Sequence, residues 1–226
     1  YNIIYSGDSK TMGRELSGVY RGVTLNMNAG QVLSLDANRT IPGTLTLTRG
    51  LVSTGSFRLQ LSNTAGNAVS GGSAVSYING NFRRQIGVTT ATDTYVFPIG
   101  DGSAYAPATF YFPQNTAGWL TGSTAAGDFN SNALDTTRIN RFRSVNRTWA
   151  FADSAMASNF YSATLKWVSA DQDANFSSTY SNIAGVLNSS SWRYGTTDSS
   201  GSNSLSFTLA TSSSGSNFGT FQVGKN

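Results

Sequence analysis

Asp171-Gln172-Asp173-Ala174-Asn175 has the D-x-D-x-N spacing with which an oxygen-rich loop takes a calcium ion. The sixth position of that loop is Phe176, where an EF-hand needs glycine for its turn. The twelfth is Asn182, where it needs a bidentate glutamate. Asp171, Asp173 and Asn175 are thus weak candidates for a calcium site of some other kind, and a polar loop after a strand is the simpler reading. A second acid, Asp101, sits between Gly100 and Gly102 in TYVFPIGDGSAYAPATFYF. Its surroundings read as a corner. Pro98 cannot donate to a sheet ladder, the two glycines permit a tight reversal, and an aspartate side chain bonds such a turn's backbone. Pro107 then holds Ala106 extended and feeds the next strand, with Tyr105 packed over the turn.

The remaining chemistry is defined mainly by what is missing. The chain has no cysteine and no histidine, which removes disulfides, thiolate sites, Ser-His-Asp catalysis and histidine-ligated zinc. Glycoside hydrolysis would need two carboxyls facing one sugar. The ten Asp and single Glu stand mostly in turn contexts such as SGDS, ATDT and TTDS, and no pair can be nominated. We expect no enzyme and no cofactor. Trp149 and Trp167 fall within alternating strand patterns and read as core. Trp119 and Trp192 lie in polar, turn-rich stretches and are candidates for a sugar-stacking contact.

The elements that would position these residues are strands. Charged residues are only 12% of the 226, strong solvent-facing helix formers are nearly absent, and Thr, Val, Tyr, Phe and Trp are plentiful. The fold class is all-β. GVTLNMNAGQV (residues 22–32) aligns with PGTLTLTRGLV (42–52) at an offset of about 20, and a degraded third copy runs through GNAVSGGSAVSYING. Short alternating pairs (Leu25/Met27, Leu33/Leu35, Leu45/Leu47, Leu59/Leu61) at that period predict a short parallel β-solenoid with rungs of about 20 residues. An antiparallel meander would also alternate, but would not repeat in this way. After Gly80 the period disappears, and the longer aromatic strands predict an antiparallel, Ig-like β-sandwich. The expected division is a solenoid-like region over 1–85 and a sandwich over 86–226.

The excess of fifteen Lys and Arg over eleven acids gives a net charge of +4. Arg83-Arg84 and Arg138, Arg141, Arg143, Arg147 are the only clusters, and their strand-like spacing reads as a solvated face. No stretch clearly groups arginines with stacking aromatics as a nucleic-acid groove requires, and no run reaches membrane-spanning length. Nucleic acid and a membrane span are therefore not expected. Low charge with abundant Ser, Thr and Asn suits an extracellular protein.

Five stretches carry a family resemblance: YNIIYSG, GTLTLTRG, SGGSAVSYINGNFRRQIG, TYVFPIGDGSAYAPATFYF and FGTFQVGKN. Together they resemble a module of large surface proteins of Bacteroidota, in which solenoid strand repeats precede a sandwich and export is by the type IX secretion system. The resemblance implies a secreted or cell-surface location and a role as adhesin, surface layer or fibre. It also associates Asp135-Thr136-Thr137 and Asp153-Ser154-Ala155 with O-glycosylation, on Thr136 and Ser154. The expected function is a self-assembling fibre or sheath subunit, or an adhesin stalk, whose partners are copies of itself or neighbouring modules. The apolar run Tyr1, Ile3, Ile4, Tyr5 is the candidate assembly strand, with pairing inside its own molecule as the plainer reading. The alternative function is a carbohydrate-binding module that contacts surface glycans.

Overall fold

A computed structural model describes residues 1–17, 20–88, 93–129, 138–176, 181–188, 191–210 and 217–225. The N-terminal third winds into a parallel β-solenoid of four rungs, built from two sheets that share one core. The first sheet stacks β1 (Asn2–Gly7), β3 (Gly22–Met27), β6 (Thr44–Arg49) and β8 (Val69–Gly71) in that order. The second stacks β2 (Lys10–Met12), β4 (Val32–Leu35), β7 (Leu51–Leu61) and β9 (Ile78–Ile86), with β5 (Arg39–Ile41) also beside β7. Every contact between rungs is parallel. The alternation of each strand puts like beside like. Ile3, Val23, Leu45 and Val69 form one inward column and Tyr5, Leu25 and Leu47 another, while Ile4, Thr24, Thr46 and Ser70 line the outer surface.

The repeat is less regular in space than in sequence. Leu25 stacks on Leu47 and Val23 on Leu45, an offset of 22 and not the 20 of the sequence alignment, which matched Leu25 with Leu45. A slip of two residues leaves every side chain on the same face. The apolar pattern alone therefore cannot detect it. Gly43 permits the close approach of backbone where this pair begins, since a Cβ there would lie 1.5 Å from the Arg21 carbonyl oxygen.

At β9 the sheet changes character. One edge runs parallel to β7 and the other antiparallel to β13 (Gly118–Ala126). The antiparallel part continues through β14 (Ser144–Ser154), β20 (Thr220–Lys225), β16 (Asn182–Asn188) and β17 (Ser191–Tyr194). Facing it is a five-stranded antiparallel sheet of β10 (Thr94–Phe97), β12 (Ala108–Tyr111), β15 (Phe160–Lys166), β19 (Ser204–Ala210) and β18 (Thr196–Gly201). The two sheets form the sandwich. Phe110 of β12 meets Phe151 of β14 edge-on at 4.6 Å, and Tyr161 of β15 stacks on Phe218 at 4.8 Å. Solenoid and sandwich residues belong to one continuous buried cluster.

Two stretches rich in turn-forming residues, around Trp119 and around Asp198, contain strands. Within 115–132, Gly118, Leu120, Gly122 and Thr124 point inward as β13, and Gly122 leaves room for the Phe151 ring, which a Cβ would meet at 2.2 Å. Within 197–204, β18 and β19 form a hairpin whose outer strand is exposed throughout.

Candidate functional site

The corner around Asp101 is built as its residues suggest, then put to a further use. Pro98 separates β10 from β11 (Ile99–Gly100), and β11 pairs parallel with Ile78 and Asn79 as a partial extra rung. Gly102 adopts a positive φ of 90°. Gly100 does not; it is glycine because a Cβ would strike the Ala104 carbonyl oxygen and the Tyr77 ring, each at 2.4 Å. Asp101 Oδ1 accepts hydrogen bonds from the Ser103 N–H and hydroxyl and from the Ala104 N–H. Tyr105 packs on Tyr77 with ring centroids 5.8 Å apart.

The other carboxylate oxygen, Oδ2, accepts from Arg147 Nη1 at 3.0 Å. Arg147 lies inside the sandwich with no exposure. Its Nε and Nη2 donate to the two oxygens of Asp171 at 2.7 and 3.1 Å. One buried guanidinium thus joins the corner, the central strand β14 and the 3-10 turn Ser169–Asp171. Burial disfavours ionised Asp101, but the Ser103 hydroxyl, the Ala104 and Ser103 N–H groups and Arg147 outweigh it and hold its pKa at about 2. For Arg147, burial favours the neutral form, and its bonds to Asp171 and Asp101 reverse that and raise its pKa.

This corrects the solvated-face reading for Arg84 and Arg147, while Arg83, Arg141 and Arg143 are half-buried and Arg138 is exposed. On β14, Val145, Arg147, Trp149 and Phe151 all point inward, and on β9 Phe82, Arg84 and Ile86 do the same. The period that assigns Trp149 to the core also assigns Arg147 there. Among the described residues Arg84 has no carboxylate partner; its guanidinium donates to the carbonyls of Val96, Ala65 and Gly66, and burial pulls its pKa down to about 10.

A second polar knot lies beside the first. The Ser144 hydroxyl is 2.8 Å from Asp128 Oδ1 and 3.1 Å from Asp173 Oδ2. Asp173 also accepts from the Ser144 N–H and from Asn146 Nδ2. The Asp128 pKa is raised, first by burial and then by the charge of Asp173.

The calcium candidates are therefore divided. The Asp171 carboxylate is occupied by Arg147, that of Asp173 by Ser144 and Asn146, and Asn175 is exposed in the loop. Among the described residues no group of three or more acidic side chains is arranged to hold a metal ion.

Both tryptophan candidates sit in strands, half-buried. Trp119 lies on the outer face of β13 under the Arg83 guanidinium, 4.6 Å from the ring centroid. Trp192, in β17, packs on the small Ile139/Ile183 cluster and meets Phe129 edge-on. Trp149 and Trp167 are buried, and Trp149 Nε1 donates to the Ala106 carbonyl at 3.0 Å. Ser154 is exposed at the end of β14, and Thr136 falls outside the described residues.

The candidate assembly strand is β1, which among the described residues pairs in parallel with β3 and has no strand on its other side. Tyr5 is buried in the solenoid, Ile3 is half-buried, and Tyr1 and Ile4 are 68% and 63% exposed. The carbonyls of Tyr1 and Gly7 accept from Arg21 and Asn28 across the ladder. By alternation, the backbone groups of Asn2, Ile4 and Ser6 face the open edge. Lys10 Nζ donates to the Ser6 carbonyl there. Among the described residues no helix is long and apolar enough to cross a membrane.

No protein family, curated protein or solved structure matches this chain.

Proposed function

We propose that this chain is a structural module of a bacterial surface, exported and assembling with copies of itself through the first rung of the solenoid. The observation that carries the reading is the edge of β1 that no strand covers among the described residues. There the N–H and C=O groups of Asn2 and Ile4 face outward beside two exposed apolar side chains. Such an edge accepts a further strand. A strand added there would continue the geometry already repeated through four rungs. Export by a type IX-like route, a fibre, sheath or adhesin-stalk role and glycans on Ser154 or Thr136 belong to the same proposal. They rest on the resemblance described above. Negative-stain electron microscopy of the purified chain tests it: filaments or oligomers that lengthen with concentration are expected, and uniform single particles at every concentration would overturn it.

A further inference from the structure

The outer face of the large sheet, opposite the core, carries a row of basic, amide and aromatic side chains across three neighbouring strands. β7 contributes Arg58 and Gln60, β9 contributes Arg83 and Gln85, and β13 contributes Trp119 and Thr121. Register places Gln60 beside Arg83, Arg83 beside Thr121, and Gln85 beside Trp119. Their neighbours Leu59, Leu61, Phe82, Ile86 and Leu120 are all buried on the other face.

Arg83 is held as a fork. Its guanidinium lies over the Trp119 ring, and its Nη1 donates to Gln60 Oε1 at 3.1 Å. Among the described residues neither Arg58 nor Arg83 has a carboxylate within ion-pair distance, and the Nε of each is buried without a partner. Burial and then the charge of Arg58 lower the pKa of Arg83, as expected of two like charges on one surface. The face therefore has uncompensated positive charge, with the Arg83 guanidinium held in place and amides and a hydroxyl able to donate and accept beside it. A fixed fork suits a carboxylate, and the amides suit sugar hydroxyls. A single-stranded nucleic acid would want several free rings in succession, whereas the one ring here is covered by Arg83.

We propose that this face binds an acidic polysaccharide, with Arg58 and Arg83 taking anionic groups on the sugars and Gln60 and Gln85 taking neighbouring hydroxyls. The proposal does not depend on self-assembly. It is tested by titration calorimetry of the full chain with polygalacturonate, dextran sulfate, neutral dextran and oligothymidylate at about 0.15 M salt. Saturable binding to polygalacturonate and none to neutral dextran is expected. Arg58→Gln and Arg83→Gln should each weaken it about tenfold, with melting curves unchanged. Arg49→Gln, an exposed arginine of β6 on the other sheet, should leave binding as it was. Comparable binding to dextran sulfate would support the proposal with a sulfate ester as the anion. Failure to bind either acidic polymer would overturn it, as would equal weakening by Arg49→Gln or tighter binding of oligothymidylate. Should Arg83→Gln fail to fold, Arg58→Gln carries the same test.

Discussion

Arg147 and Asp101 are 46 positions apart in sequence and meet at 3.0 Å inside the protein. The contact ties the corner that closes the solenoid to the middle of the sandwich, and Asp171 completes it from a third segment. A turn residue has become the counterion of a buried charge.

Removing that charge should be costly. Arg147→Met leaves Asp101 and Asp171 without their cation, and breaking a buried pair costs about 3–5 kcal/mol. For a chain of this size the melting temperature should fall by roughly 10 °C. Arg147→Lys should recover only part of this, because an ammonium cannot bond both Asp171 oxygens and Asp101 together. A melting temperature for Arg147→Met within about 2 °C of the parent would show that the triad contributes nothing net.

The same contact predicts an acid limit. The Asp101 pKa is depressed in the folded chain to about 2, below its value of about 3.9 in an unfolded one. Its contribution is therefore complete above pH of about 4 and is lost as pH falls toward about 2. Asp101→Asn keeps the turn-capping oxygen but not the charge. Urea titrations at a series of pH values should show its deficit relative to the parent shrinking across that window. A deficit constant with pH would contradict the assignment.

Asp128 predicts the opposite sign. Burial and Asp173 raise its pKa, so ionised Asp128 destabilises the fold above that pKa, and the penalty is relieved as pH falls through it. Asp128→Asn retains an oxygen for the Ser144 hydroxyl and Gln222 Nε2. It should raise the melting temperature near neutral pH, by roughly 2 °C, and the gain should vanish in acid. Thermal scans at the two pH values decide it, and a loss of stability at neutral pH would count against it.

Lys10 guards the open edge of β1. Its ammonium occupies the outward carbonyl of Ser6 and places a charge where another strand would pair. Lys10→Ala should lower the concentration at which light scattering reports assembly. An unchanged or higher threshold would exclude a guarding role.

Much of this architecture was legible in the residues. The leucine pairs gave the rungs, and Trp149, Trp167 and the phenylalanines gave the sandwich core. The corner at Asp101 followed from proline, glycine and aspartate chemistry. The register was not legible, because a two-residue slip between Leu25 and Leu47 preserves the apolar face. Gly, Ser and Thr around Trp119 read as a turn, although Leu120, Gly122 and Thr124 carry the period of a strand. The burial of Arg147 is not legible: its place in the Val145–Trp149–Phe151 period points inward, its charge points outward, and the partners that make its burial tolerable lie in two remote segments. No local pattern announces such a meeting.

The central claim, assembly through β1, turns on the backbone of Ile4. Its N–H faces the open edge, so Ile4→Pro should remove a donor to an incoming strand while sparing the ladder to β3. Sedimentation velocity over a range of concentrations should show the parent chain growing into larger species and Ile4→Pro remaining a monomer with the parent's circular dichroism. A parent that stays monomeric throughout, or a folded Ile4→Pro chain that assembles equally well, would contradict the account.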